Sequence, residues 1–289
     1  MRALIIGCGY VGMALATRLR DLGHEVWALR RSHGSVDSAS AVGIKFLQAD
    51  ITLPATLSIL PSAFDWVVNC ASSSHGGAED YRVVYVEGMR NLLEWLKPTP
   101  PQKFVYTSST GVYGQTDGSV VDETSATIPE AGTARVLVEA EDVLMAAARG
   151  DGFPGVVLRV AGIYGPGRGF WFKQFVNGEA RIEGDGARVL NSIHLEDVVG
   201  SIVAALEQGM PGRIYNAADD QPSTQLEFFQ WLSQRLGKPL PPRAEPSADP
   251  ARKRGLTNKR VSNLRLKTEL GYSFRYPTFK EGYAASVQR

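Results

Sequence analysis

Gly7, Gly9 and Gly12 stand between a short apolar run, Ala3 to Ile6, and a stretch in which Val11, Leu15, Leu19 and Leu22 recur at helical spacing. No other feature restricts the fold of this chain as tightly. A turn that leaves a strand and opens a helix uses one glycine for the tight bend, one for close approach of backbone to a pyrophosphate and one for close helix packing. Gly23 then supplies a left-handed stop, and Glu25 to Leu29 begins a second apolar run, so the segment reads as one βαβ unit.

The alternation continues. Lys45 to Leu47, Trp66 to Cys70, Lys103 to Thr107 and Val156 to Arg159 read as further strands, with Tyr81 to Leu96 and Ala134 to Ala148 as the longest helical patterns between them. This order predicts an α/β fold, a Rossmann-type doubly wound parallel sheet. After Gly165 the character changes to a loop rich in glycine and aromatics, then short elements and a helix from Leu195 to Glu207. The expected division is a dinucleotide-binding domain over 1–164 and a smaller substrate-binding cap over 165–289, with elements near 189–217 returning to the sheet. Pro239 to Pro250 carries five prolines and must be an extended connection. The basic stretch Arg252, Lys253, Arg254, Lys259 and Arg260 follows it, expected as a solvated face, with phosphate binding as the alternative.

At 289 residues the chain buries a full core without disulfides, so Cys8 and Cys70, each at a strand end, are expected to be buried free thiols in a reducing compartment. The net charge of +1, with 31 basic and 30 acidic side chains, favours neither nucleic acid nor an anionic membrane, which leaves small-molecule partners. No apolar run approaches the roughly 20 residues of a membrane span, and the N-terminus enters a strand at once, so the expected location is cytoplasmic. No metal site is expected.

The glycine turn, with Tyr10 and Val11 inside it, is the expected pyrophosphate site. The end of the second strand chooses the cofactor, since an acidic residue there holds a 2′-hydroxyl and arginine suits a 2′-phosphate. Arg30, Arg31 and Ser32 occupy that place, so NADP is preferred over NAD. Asp50, followed by Ile51, ends the third strand at the adenine end, where a carboxylate can accept from the exocyclic amine. Cys70, Ala71 and Ser72 after Asn69 are small enough for backbone to pass close to the cofactor.

Further motifs lie downstream: Thr107 through Gly114, with Ser108, Ser109, Val112 and Tyr113, then Asp122-Glu123, Arg159, Ile163-Tyr164-Gly165-Pro166-Gly167 and Ile193-His194-Leu195-Glu196-Asp197. With these in place the chain resembles the extended short-chain dehydrogenase/reductase superfamily of NAD(P)-dependent epimerases, dehydratases and reductases. The resemblance implies that Ser109 takes the position of the serine or threonine that hydrogen-bonds the substrate oxygen. It also implies that Thr107, Ser108, Arg159, Val160 and Ile163 border the cofactor, and that the second half forms a lid that sets substrate choice. Dimerisation through the fourth and fifth helices is common in such proteins, which makes a symmetric homodimer the default assembly.

One departure bears directly on chemistry. Members of the superfamily open the fifth helix with a Tyr-x-x-x-Lys pair, in which tyrosine moves the proton and lysine lowers its pKa. The register set by Pro129 and Glu141 puts Thr133 and Leu137 at those two positions. The glycine loop is GxGxxG rather than the usual GxxGxxG, and Tyr85 stands where an asparagine is expected. Tyr113, four residues after Ser109, is the leading surrogate acid, with Tyr164, His194 and the loop residue His75 as weaker ones. His75, Tyr164, Phe170, Asn191 and His194 are expected to line the substrate pocket, with Trp171 and Phe172 beside them. Two functions follow: an NADP-dependent oxidoreductase or epimerase-like enzyme on a small carbonyl or hydroxyl compound, sugar-related ones included, or a non-redox NADP(H)-binding sensor or regulatory protein.

Overall fold

A computed structural model describes residues 1–31, 43–61, 63–73, 76–244 and 257–284. Seven parallel strands form its sheet: β1 (Arg2–Ile6), β2 (Glu25–Arg30), β3 (Lys45–Gln48), β4 (Trp66–Asn69), β5 (Lys103–Ser109), β6 (Gly155–Val160) and β7 (Ile214–Ala217). They lie in the order β7-β6-β5-β4-β1-β2-β3, so the chain winds outward in opposite directions from β1. The register sets Ile6 opposite both Leu29 and Asn69, which brings the carboxyl ends of β1, β2 and β4 to one edge. A sheet wound in this way leaves a crevice between β1 and β4, where strand order reverses.

Alternate side chains leave opposite faces of each strand, so the buried strands supply two separate cores. On one face α1 (Tyr10–Asp21) uses Leu15 and Leu19, with Val198 and Ile202 of a later helix, to cover Ile5, Val68, Val105 and Leu158. On the other, Met89, Leu92, Val136 and Leu144 cover Leu4, Val67, Phe104 and Val157. These residues belong to α2 (residues 78–96) and α3 (Gly132–Gly150). Each fully buried Leu, Ile, Val or Phe contributes about 1.5–3 kcal/mol relative to exposure. Helix α1 stops where expected: Gly23 has φ +83°, and the N–H of His24 closes back on the carbonyl of Leu19 at 3.1 Å.

Helix α2 differs from its expected form. It begins at Ala78, and a π-helical stretch, Arg82–Glu87, separates its first α-helical turn from Gly88–Leu96. The wider i→i+5 turn advances the residues after it, a local irregularity frequent at functional sites. Gly88 sits where a Cβ would meet Ile51 Cδ1 at 2.8 Å, so the helix packs closely on the loop after β3.

Beyond residue 165 lie α4 (Phe170–Val176), α5 (Leu195–Gln208) and α6 (Gln225–Leu236). Helix α5 returns to the sheet beside α1, and β7 joins its edge. Helices α4 and α6 build a third apolar cluster with Tyr164, Phe175, Leu190, Phe228, Phe229 and Tyr283. Thr224 and Glu227 cap α6 reciprocally, N–H of Glu227 donating to Thr224 Oγ1 at 3.1 Å and N–H of Thr224 to Glu227 Oε2 at 2.7 Å. Within the proline-rich connection Arg243–Ala244 pairs in parallel with Ile182–Glu183. In the basic stretch Arg260 is exposed, but Lys259 is only 4% exposed, contrary to the expected solvated face. Arg252, Lys253 and Arg254 lie outside the described residues. Among the described residues no helix is long and apolar enough to cross a membrane.

Asp219, just after β7, is 2% exposed. Burial, with Asp220 and Asp197 adding to it, pushes its carboxyl well above the usual carboxylate range. A folded-state pKa above the unfolded value gives stability that is present at low pH and lost as pH rises through the folded pKa. Asp219→Asn removes that loss. We expect it to raise unfolding free energy at pH 8 by on the order of 1–3 kcal/mol, with the gain vanishing toward pH 4, as read from denaturant titrations at several pH values.

Candidate active site

The crevice is built on the glycine turn. Gly7 has φ +87°, and a Cβ there would stand 2.6 Å from the backbone of Ala71. A Cβ on Gly12 would stand 2.2 Å from the carbonyl oxygen of Gly7, so the helix can start only if this position has no side chain. Gly9 is different: a Cβ there would meet nothing within 4 Å and would project into open space. Two glycines thus serve packing and the third keeps a cradle clear, the arrangement a pyrophosphate needs beside the amides of a helix start.

Three adjoining hollows follow the carboxyl edge of the sheet. The first holds Gly7, Gly9, Tyr10, Val11, Gly12, Cys70, Ala71, Ser72, Thr107, Ser108, Ser109, Val160 and Ile163, all named from sequence. The second shares Gly7, Gly9, Cys70, Ala71 and Ser72 with it and extends to Arg30, Arg31, Asp50 and Ile51. The third lies under the cap, shares Ser109 and Ile163 with the first, and adds Tyr164, Phe170, Trp171 and Asn191. Ser32 and His75 lie outside the described residues.

The Arg30 guanidinium carbon lies 4.5 Å over the Phe46 ring, while its buried Nε has no hydrogen-bond partner among the described residues. Asp50 commits Oδ1 to the N–H and Oγ1 of Thr52, at 2.9 and 2.8 Å. Tyr10 donates to the carbonyl of Pro166 at 3.0 Å, tying the glycine turn to the loop after Tyr164. Ser109 Oγ accepts from the N–H of Gly111 at 3.1 Å. Its own proton therefore remains to be donated into the space where the first and third hollows meet. Burial pushes the Cys8 and Cys70 thiols up to about 12, which leaves them as thiols near neutrality and unsuited to nucleophilic work.

Six expected site residues are tied into the frame. Arg159 makes a forked ion pair with Glu141, its Nη2 2.7 Å from Oε2 and its Nε 3.2 and 3.1 Å from the two oxygens, and it faces none of the three hollows. Burial opposes this guanidinium's charge, but Glu141 and Tyr113 outweigh it and hold Arg159 above its ordinary pKa. Tyr113 is fully buried; its hydroxyl donates to Asn216 Oδ1 and accepts from Arg159 Nη1, both at 2.8 Å. Burial raises its pKa, and the side chain lines none of the three hollows, so the expected surrogate acid is turned away from them. His194 caps α5, its Nδ1 accepting from the N–H of Glu196 at 3.2 Å, with its ring against Tyr276 and Tyr164. It faces no hollow. Asn191 borders the cap pocket, but its amide is spent on the backbone of Lys259 and Val261 at 2.9 and 2.8 Å. Ser108 also borders the first hollow with its hydroxyl already given to Glu141 Oε1, at 2.5 Å. Tyr164 stacks on Tyr283 and donates to the carbonyl of Thr278.

Thr133 and Leu137 do face the first hollow, which Ser109 also lines. Tyr81 and Tyr85 face it too, one helical turn apart with ring centroids 5.0 Å from each other. Sequence inspection missed them as site residues, because a Tyr pair at i, i+4 near a helix start reads equally well as core. It also missed Arg168, whose guanidinium lies 5.1 Å over the Tyr10 ring, and Lys259 and Arg188 in the cap pocket. Lys259 and Val261 are buried on either side of exposed Arg260, a pattern that the run of basic residues does not reveal in sequence.

Fold and crevice together define a Rossmann-type α/β protein, its parallel sheet carrying a smaller apolar cluster built from the elements beyond Tyr164. Residues 3–218 match the NAD dependent epimerase/dehydratase family, and the chain belongs to it. It is 29% identical to Protein YeeZ of Escherichia coli strain K12, over 96% of both chains. It is 27% identical to a 3-diazoavenalumate denitrifying reductase from a Streptomyces species, over 98% of this chain and 99% of that one. A solved structure from Methylobacillus flagellatus, assigned as an NAD-dependent epimerase/dehydratase, superposes with a TM-score of 0.78 at 34% identity, over 98% of this chain and 96% of that one.

Two variants separate frame from site. Tyr113→Phe leaves Asn216 Oδ1 and one Arg159 N–H unpaired in the interior, so we expect a loss of about 1–3 kcal/mol of stability with dinucleotide affinity unchanged. Gly9→Ala should do the reverse, keeping the melting temperature of the wild type while weakening dinucleotide binding at least tenfold. Thermal unfolding and calorimetric titration on the same samples read both.

Proposed function

We propose that this chain is an NADP-dependent oxidoreductase or epimerase-like enzyme acting on a small carbonyl or hydroxyl compound, sugar-related ones included. One observation carries it: the trough that starts at Arg30 and Arg31 passes the glycine turn and meets the cap pocket at Ser109. The full-length likeness to a reductase supports the same direction. The phosphate preference is supported by Arg30 over the Phe46 ring, with no carboxylate side chain at the end of β2. We place the enzyme in the cytoplasm, where unpaired Cys8 and Cys70 stay reduced.

When bound, the dinucleotide supplies or accepts a hydride at its nicotinamide ring. The chain's residues do the rest. The backbone around Gly7, Gly9 and the start of α1 receives the pyrophosphate, Arg30 and Arg31 hold the 2′-phosphate, and the Asp50 oxygen not bound by Thr52 accepts from adenine. Ser109, whose Oγ is already oriented by Gly111, donates to the substrate oxygen and polarises its bond to carbon. Thr133 and Leu137 leave no phenol and no ammonium at the usual positions. Among the described residues the phenols that border the first hollow are Tyr10, Tyr81 and Tyr85; Tyr10 gives its proton to the Pro166 carbonyl, so the proton for the reduced oxygen comes from Tyr81, Tyr85 or water.

A non-redox sensor of the NADPH to NADP ratio is the second function, favoured by Thr133 and Leu137 facing the cleft intact. Turnover distinguishes the two, since a sensor binds the oxidised and reduced cofactors unequally and does not oxidise NADPH whatever carbonyl compound is supplied. For the cofactor itself, Arg30→Ala combined with Arg31→Ala should weaken NADP by about 100-fold, the equivalent of two charge-assisted hydrogen bonds. NAD, which lacks the phosphate, should change less than about threefold. Equal losses in calorimetric titrations would show that these arginines do not read the phosphate.

A further inference from the structure

Lys259 is an ammonium inside the protein, 4% exposed, on the wall of the cap pocket. Its Nζ donates to the Tyr113 carbonyl at 2.8 Å and to Thr257 Oγ1 at 2.9 Å, both neutral acceptors. An ammonium has three donors, so one is left over. The charged group that acts on it is a second cation, Arg188. Arg188 borders the same pocket, and Thr257 anchors it as well, its carbonyl accepting from Arg188 Nε at 3.3 Å. Glu183 offsets one of the two positive charges, 3.1 Å from Arg188 Nη1. No aspartate or glutamate is among the described residues that line the pocket.

Burying an ammonium without a counter-ion is strongly unfavourable, and a neutral donor could hold the Tyr113 carbonyl equally well. Burial and Arg188 lower the Lys259 pKa to about 8, which still leaves most of it charged at neutral pH. The pocket is therefore cationic and waits for an anion from outside. Ser109 borders the same pocket, with Phe170, Trp171 and Tyr283 along the wall.

We propose that Lys259 and Arg188 form an oxyanion subsite, so that the substrate carries a carboxylate or a phosphate at the end remote from the carbon held at Ser109. The assignment of the reacting end rests on the function proposed above; the subsite stands on the pocket alone. Both oxyanions present the same chemistry to these two side chains, a charge with several acceptor oxygens.

Three probes that share an aromatic ring and differ in the head group test it: phenyl phosphate, benzoate and neutral benzamide. Binding is followed by calorimetry on the full chain, with NADPH affinity measured on the same samples. We expect one or both anions to bind at least tenfold tighter than benzamide, and the stronger of the two to identify phosphate or carboxylate as the natural head group. Lys259→Met should remove the preference and leave NADPH affinity unchanged; Lys259→Arg, which keeps the charge, should retain it. Arg188→Gln should reduce it separately, which keeps the test open if Lys259→Met does not fold. Equal binding of benzamide and both anions, no binding of either anion, or a preference that survives Lys259→Met and Arg188→Gln would overturn the subsite. Loss of NADPH binding with anion preference intact would instead remove the cofactor assignment and leave the subsite standing.

Discussion

Two close backbone approaches fix everything at the ligand edge. Gly12 lies against the carbonyl of Gly7, and Gly7 lies against Ala71, at distances that leave no room for a Cβ at either glycine. The first contact sets the start of α1 on the end of β1; the second joins that turn to the end of β4. Because strand order reverses between β1 and β4, these contacts also form the crevice floor. The amides at the helix start then face a space kept clear at Gly9, with Arg30 and Arg31 at one end and Ser109 at the other.

Behind that edge a buried polar chain holds the frame. Glu141 of α3 joins Ser108 of β5 to Arg159 of β6; Arg159 joins Tyr113, and Tyr113 joins Asn216 of β7. Each member is paired, as an interior charge and its neighbours must be to avoid a large desolvation cost. The same chain explains why Ser109, rather than its neighbour Ser108, has a hydroxyl to offer. It also explains why Tyr113, close in sequence to the site, is removed from it: the ring lies beneath the Arg159 guanidinium, 4.9 Å away, with both hydroxyl functions used.

What could be read in advance was local. The glycine turn and the small residues after β4 meet through backbone, and Arg30 and Arg31 end the neighbouring strand, so spacing was enough to place them all along the crevice. The places of Thr133 and Leu137 were legible too, because Pro129 and Glu141 bracket one helix start, and the two residues do face the cleft. Arg159, Tyr113 and His194 were misjudged for the opposite reason. Their partners lie on other elements, and a polar residue with a remote partner looks the same in sequence as one aimed at a ligand. Lys259 was hidden by its basic neighbours, since charge composition says nothing about which of two adjacent cations turns inward on a strand. The π-helical stretch in α2 has no signature in a 3.6-residue pattern, yet it lies between the turn that carries Tyr81 and the remainder of the helix.

The account depends on a dinucleotide lying along the trough with its 2′-phosphate at Arg30. Calorimetric titration of the unmodified chain with NADPH and then with NADH tests that most directly. One site per chain, with NADPH bound at least tenfold tighter than NADH, is the predicted result. No detectable binding of either, or equal affinity for both, would contradict it.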